Sequence, residues 1–153
     1  MGGNSGHGAW LINEEIDARN LPFTCRLSRD PVEIGRAREL AREAVIRWGL
    51  HQHAGLAELI ITELATNALR HGAGPIEIGL SYSGGDLWAG VHDDGAGRPV
   101  RRQATADDEQ GRGLELLDGL IDLYGGAREV VDDRDGPGKT VYVVVSLVAG
   151  SPG

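Results

Sequence analysis

Glu63-Leu-Ala-Thr-Asn67-Ala-Leu-Arg-His-Gly72 closes a segment in which Leu56, Ile60, Leu64 and Ala68 recur every fourth residue. That period predicts a helix over 54–71, stopped by Gly72. At about 100° per residue, Glu63 and Asn67 fall beside Leu56 and Ile60 rather than opposite them. The stripe that ought to be buried therefore turns polar at its C-terminal end. Burying a carboxylate and an amide without partners costs on the order of several kcal/mol. This face is expected to open onto water, a metal or a ligand.

Downstream, Ile76, Ile78, Leu80 and Tyr82 alternate with smaller or polar residues, and Leu87, Ala89 and Val91 repeat the pattern after Ser83-Gly-Gly-Asp86. Two such runs around a Gly-Gly pair predict a hairpin. Period two carries on to Asp93, which should point inward with Val91, whereas Asp94 should point outward with His92. Asp93-Asp-Gly95-Ala-Gly97 follows. The stretch 98–110 is almost without apolar residues and reads as a long functional loop. Gly113 is expected to open a helix reaching about Tyr124, with Leu114, Leu117, Ile121 and Tyr124 inward. Two final strands are predicted over 128–131 and 139–148, joined by the turn-rich 132–138. Both parities of the last strand are apolar, so its inward face stays open.

Upstream, 21–27 alternates as an edge strand with Pro22 near its start. Asp30-Pro31-Val-Glu33 combines an N-cap acid, a first-turn proline and a glutamate, starting a helix over 31–48. Its inward members are Ile34, Ala37, Ala41, Val45 and Trp48. The predicted organisation is a flexible tail over 1–8, one domain over 9–148 and a short tail over 149–153.

Composition bounds the function classes. The 153 residues are 41% hydrophobic and 25% charged, within the range of ordinary globular domains. No run approaches the roughly 20 apolar residues that span a bilayer, and no secretory signal is visible. Cys25 is the only cysteine, which excludes an intrachain disulfide and a cysteine-based zinc site. A cytoplasmic location is expected. The net charge of -8 repels phosphodiester backbones, so direct nucleic-acid binding is not expected. His51-Gln-His53 is assigned no metal.

The ordered set Glu63-x-x-x-Asn67, Asp93-x-Gly95-x-Gly97, Gly111-x-Gly113 and Gly138-Lys-Thr140 resembles the Bergerat ATP-binding fold shared by gyrase, Hsp90, histidine kinases and MutL. Within that GHKL superfamily the chain is most similar to stand-alone anti-sigma factor serine/threonine kinases of the RsbW and SpoIIAB type. The resemblance covers about 31–147. It implies an α+β two-layer sandwich, a mixed and mostly antiparallel sheet with helices on one face, and ATP and Mg²⁺ as cofactors.

Residue by residue, the resemblance implies that Asn67 ligates Mg²⁺ and that Glu63 is the general base. An ion pair between Glu63 and Arg70 at a helix end is the competing explanation. Arg70 and His71 match phosphate-contacting positions, though a solvated helix end explains them equally. Asp93 matches the acceptor of the adenine amino group, with Gly95 and Gly97 allowing backbone approach to the base. Thr140 is the matching hydroxyl, expected near Asp93, or else an ordinary strand residue. Gly111, Arg112, Gly113 and Leu114 match the turn whose amides seat the polyphosphate at a helix N-terminus, under a lid formed by 98–110.

The resemblance further implies a sigma factor and a small anti-sigma factor antagonist as protein partners, the latter phosphorylated on serine or threonine, and a homodimeric state. The alternative is a nucleotide-sensing binding module that controls a partner without chemistry.

Overall fold

The computed structural model describes residues 23–96 and 109–147, with the backbone path alone for 109–114. Both predicted tails lie outside the described residues, as do Gly97 and the proposed lid up to Asp108.

Among the described residues five strands form one sheet in the order β1-β2-β3-β5-β4: β1 Phe23–Leu27, β2 Ile76–Ser83, β3 Asp86–Asp93, β4 Ala127–Asp132 and β5 Lys139–Ser146. Every pairing among the described residues is antiparallel, so the expected mostly antiparallel sheet is found here without a parallel pair. Hairpin connections suffice for β2–β3 and β4–β5, and the second hairpin enters with β5 against β3. Gly84 and Gly85, at φ of 62° and 86°, form the two-residue turn between β2 and β3. Positive φ at both positions is a backbone that glycine takes without strain. The five-residue β1 lies at one edge, as the edge-strand reading of 21–27 expects.

Among the described residues three α-helices accompany the sheet: α1 Ile34–Arg47, α2 Ala54–His71 and α3 Glu109–Leu123. The Asp30 carboxylate accepts from the Val32 amide at 3.1 Å, and Pro31 opens a single 3-10 turn ahead of α1. Glu33 reaches back past the cap to the Ser28 amide at 2.9 Å. The predicted start signal is thus used, with its glutamate tying down the preceding loop.

Ala37, Ala41 and Val45 of α1 meet Ile60, Ile61, Leu64 and Ala68 of α2 over the inward residues of β2, β3 and β5. Alanines at the helix contact let the two backbones approach closely. α3 adds Leu117 and Ile121 to the same core. Phe23, Trp48 and Tyr82 anchor the end of α1 on β1 and β2, with ring centroids 5.1 and 6.0 Å apart.

β5 uses both faces. Val141, Val143 and Val145 enter the main core, while Tyr142 packs with Trp88, Val131 and Val144 on the reverse face. A strand buried on both sides has no polar parity, which is why alternation could not orient it. Gly90 makes room for Tyr142: a Cβ there would lie 2.9 Å from the ring.

Candidate nucleotide site

The site is built where the C-terminus of α2, the end of β3 and the start of β5 converge. On α2, Glu63 and Asn67 are both half-buried, one turn apart. The Asn67 amide nitrogen donates to the Glu63 carbonyl at 3.3 Å, which leaves its oxygen for an outside partner. Burial pushes the Glu63 carboxyl above the usual carboxylate range, and the Arg70 charge opposes that shift. Among the described residues no hydrogen bond or ion pair engages the Glu63 carboxyl, so the direct Glu63–Arg70 pair is not formed. Arg70 and His71 are exposed on the last turn.

Asp93 is 1% exposed at the end of β3, and Asp94 is exposed, as period two requires. Its Oδ1 accepts from the amides of Gly95 at 2.7 Å and Ala73 at 3.3 Å. Asp94 in turn donates its amide to the Ala73 carbonyl at 2.8 Å. The α2–β2 connection is therefore stitched to the end of β3. Gly72 and Gly95 permit that stitching. A Cβ on Gly72 would meet the Asp93 carboxylate at 2.4 Å, and one on Gly95 would meet the Ala73 nitrogen at 2.9 Å. Gly95 lacks a positive φ, so its role is close approach of two backbones rather than a left-handed turn.

The charge facing Asp93 is Lys139, itself 3% exposed. Its ammonium donates to Asp93 Oδ1 at 3.0 Å, to Oδ2 at 2.9 Å and to the Gly95 carbonyl at 3.1 Å. Lys139 stands opposite Asp93 in the β3–β5 register, which puts both side chains on one face. The same register corrects Thr140. It stands opposite His92, and its methyl lies on the reverse face, 3.5 Å from where a Gly90 Cβ would be. The strand parity that points Lys139 at Asp93 necessarily points Thr140 away. Thr140 is thus not brought to Asp93, and Lys139 is the site residue that motif matching passed over.

On that reverse face the buried His92 ring bonds the Asp133 carboxylate through Nε2 at 2.9 and 3.1 Å. The Asp133 amide donates to Gly138 at 2.9 Å, closing the turn that delivers Lys139.

Arg29 is a second site residue that no motif marks. Its guanidinium donates to the carbonyls of Ala68 and Gly74, each at 3.0 Å, and to those of Leu69 and Gly72. A helix C-terminus presents unpaired carbonyls and negative potential, both of which a guanidinium satisfies. Arg29 thereby holds the end of α2, with Asn67 on it, against the Gly72–Gly74 connection. Replacing Arg29 with methionine is expected to lower stability by about 1–3 kcal/mol, the worth of hydrogen bonds to a charged donor. Urea unfolding followed by tryptophan fluorescence measures it; an unchanged midpoint would refute the capping role.

The helix expected to open at Gly113 instead begins at Glu109. Gly111 and Gly113 are inside it rather than in the preceding turn. The amides of the cap residue and of the first three helical residues have no intrahelical acceptor, which within this helix means those of 109–111. Gly111 is among these, whereas Arg112 and Gly113 have acceptors four residues back. The side chains of Arg112 and Leu114 lie outside what is described, and Gly97 lies wholly outside.

The model of the histidine kinase-like ATPase domain family matches residues 27–145. The chain belongs to this family. As a histidine kinase-like ATPase domain, it carries the expected α+β fold, and membership implies ATP binding.

Among solved structures, the domain is similar to the histidine kinase domain of the Erythrobacter litoralis EL346 blue-light activated histidine kinase. That match has 22% identity and a TM-score of 0.48, covering 76% of this chain and 60% of the other. It is also similar to the Acinetobacter baumannii histidine kinase AdeS, at 18% identity and a TM-score of 0.46 over 76% of each chain. The histidine kinase domain of the E. coli osmosensor EnvZ matches at 23% identity and a TM-score of 0.41, covering 61% of this chain and 66% of the other. This chain thus spans 60% of the first of these relatives. No curated protein matches significantly.

Asn67 offers one amide oxygen, and no group of three or more His, Cys, Asp or Glu side chains able to hold a metal occurs among the described residues. That donor set fits Mg²⁺, which keeps several waters and shares phosphate oxygens instead of occupying an all-protein cage. Among the described residues no helix is long and apolar enough to cross a membrane.

Proposed function

We propose that this histidine kinase-like ATPase domain is an ATP- and Mg²⁺-dependent serine/threonine kinase of the anti-sigma factor type. It would bind a sigma factor and phosphorylate a small anti-sigma factor antagonist in the cytoplasm. The observation that carries this reading is Glu63. A half-buried carboxyl with a raised pKa, without a described partner and one turn before Asn67, is suited to take a proton.

Chemically, the antagonist's hydroxyl oxygen attacks the γ-phosphorus and its proton passes to Glu63. The bond from that phosphorus to the β–γ bridging oxygen breaks, and ADP leaves with that oxygen. When bound through Asn67, Mg²⁺ would neutralise negative charge on the phosphates. Asp93 orients the base, and the first-turn amides of α3 receive phosphate oxygens. Preorganised donors of this sort supply most of what phosphoryl transfer needs.

The test is incubation of the purified chain with Mg·[γ-³²P]ATP and candidate antagonists. Label on an antagonist serine or threonine supports the kinase. Tight ATP binding with no transfer to the true antagonist would refute it and favour the nucleotide-sensing module.

A further inference from the structure

Lys139 is the only lysine in a chain with 14 arginines. It is spent on a buried contact with Asp93, where the two side chains are 4% and 2% exposed. We propose that Lys139 is a placeholder for the nucleobase. Its ammonium holds the acceptor position on Asp93 that the exocyclic amino group of adenine takes, so base binding and release of Lys139 from Asp93 are one event. This rests on the assignment of Asp93 as the adenine acceptor.

A carboxylate offers about four acceptor positions. Oδ1 is crowded by three donors, the Gly95 and Ala73 amides and the ammonium, while Oδ2 accepts from the ammonium. At 2% exposure the carboxylate leaves no open approach to Oδ2 beside the lysine. The two amides are fixed, because they belong to the backbone stitch between β3 and the Gly72–Gly74 connection. The third partner of the ammonium, the Gly95 carbonyl, belongs to the same stitch. Only Lys139 sits on a stem that can rotate. An amino group arriving at Asp93 must therefore take what the ammonium gives up.

Lysine is the residue suited to this exchange. Its compact ammonium, with three rotatable donors, meets three converging acceptors and can swing away. A planar guanidinium would lock onto the carboxylate as a fork. The exchange also selects the base. Adenine replaces one donor by another, whereas hypoxanthine presents a carbonyl at that place and leaves Asp93 to the lysine. Discrimination thus gains a penalty against the wrong base, in addition to a contact for the right one.

A single lysine makes the test direct. With ¹⁵N-lysine incorporated, the whole chain gives one Nζ resonance, whose hydrogen exchange should be slow without nucleotide. Saturating Mg·ATP or Mg·ADP is expected to move that resonance and speed its exchange about tenfold or more. Mg·ITP and Mg·tripolyphosphate should leave it in place, since neither brings an amino group.

Calorimetry on the same samples separates the two ways of failing. If ATP gives binding heat and the Nζ signal stays protected, the placeholder role is overturned and the ATP-dependent kinase stands. Movement with tripolyphosphate equal to that with ATP also overturns it, by making the phosphates responsible. If ATP does not bind at all, the kinase reading falls and takes the placeholder with it.

Discussion

Replacing Glu63 with glutamine is expected to lower phosphate transfer to the antagonist about 10²–10⁴-fold, the range attributed to a positioned general base. ATP binding should change little, because the amide keeps the size of the side chain and leaves Asn67 in place. The pH dependence sharpens the test. Proton abstraction needs the carboxylate, so transfer should rise with pH through a pKa above the ordinary carboxylate range, the direction burial imposes on Glu63. In Glu63→Gln that acid limb should disappear.

The stability effect has the opposite sign. An acid whose folded-state pKa is raised binds more protons folded than unfolded, so its ionised form costs stability as pH rises through that window. At neutral pH the glutamine variant should therefore melt no lower than wild type. Wild-type transfer rates in Glu63→Gln would remove the base from the mechanism, and a lower Tm would remove the desolvation argument.

The elements that could be read in the sequence are those where one physical rule dominates. The helices over 31–48 and 54–71 follow from a four-residue apolar period bounded by a capped start or a glycine stop. Asp93 reads as inward because seven preceding residues of one strand obey a single parity. The same rule could not reach Thr140 and Lys139. Their strand is apolar on both faces, since Tyr142 and Trp88 are buried behind the sheet as Val141 and Val143 are in front. Only the pairing with β3 decides that Lys139, and not Thr140, meets Asp93.

One signal was nevertheless available: a lone lysine among many arginines, two residues before a buried valine. Arg29 had no comparable signal, because its acceptors are backbone carbonyls at 68–74, some 40 residues away. A carbonyl looks the same in every sequence.

Lys139→Met should destabilise the domain by about 3–5 kcal/mol, because it strands the Asp93 carboxylate in a site almost closed to water. The number reflects the charge left behind more than the worth of the pair. Dehydration of both ions offsets much of their attraction, so removing both together costs less than removing either one. Asp93→Asn alone should also destabilise, through the ammonium it leaves facing an amide. The double variant Lys139→Met, Asp93→Asn should recover about 2 kcal/mol or more relative to the sum of the two single changes. The asparagine oxygen can still accept from the Gly95 and Ala73 amides that Asp93 Oδ1 now serves.

Urea unfolding of all four proteins closes this cycle, provided each unfolds in a single transition. Strictly additive losses would mean that the two side chains do not act as a pair. Coupling confined to low salt would mean a contact reached by solvent. Coupling that survives high salt is the result that burial of both side chains requires, because ions in solution screen exposed pairs and leave buried ones largely intact.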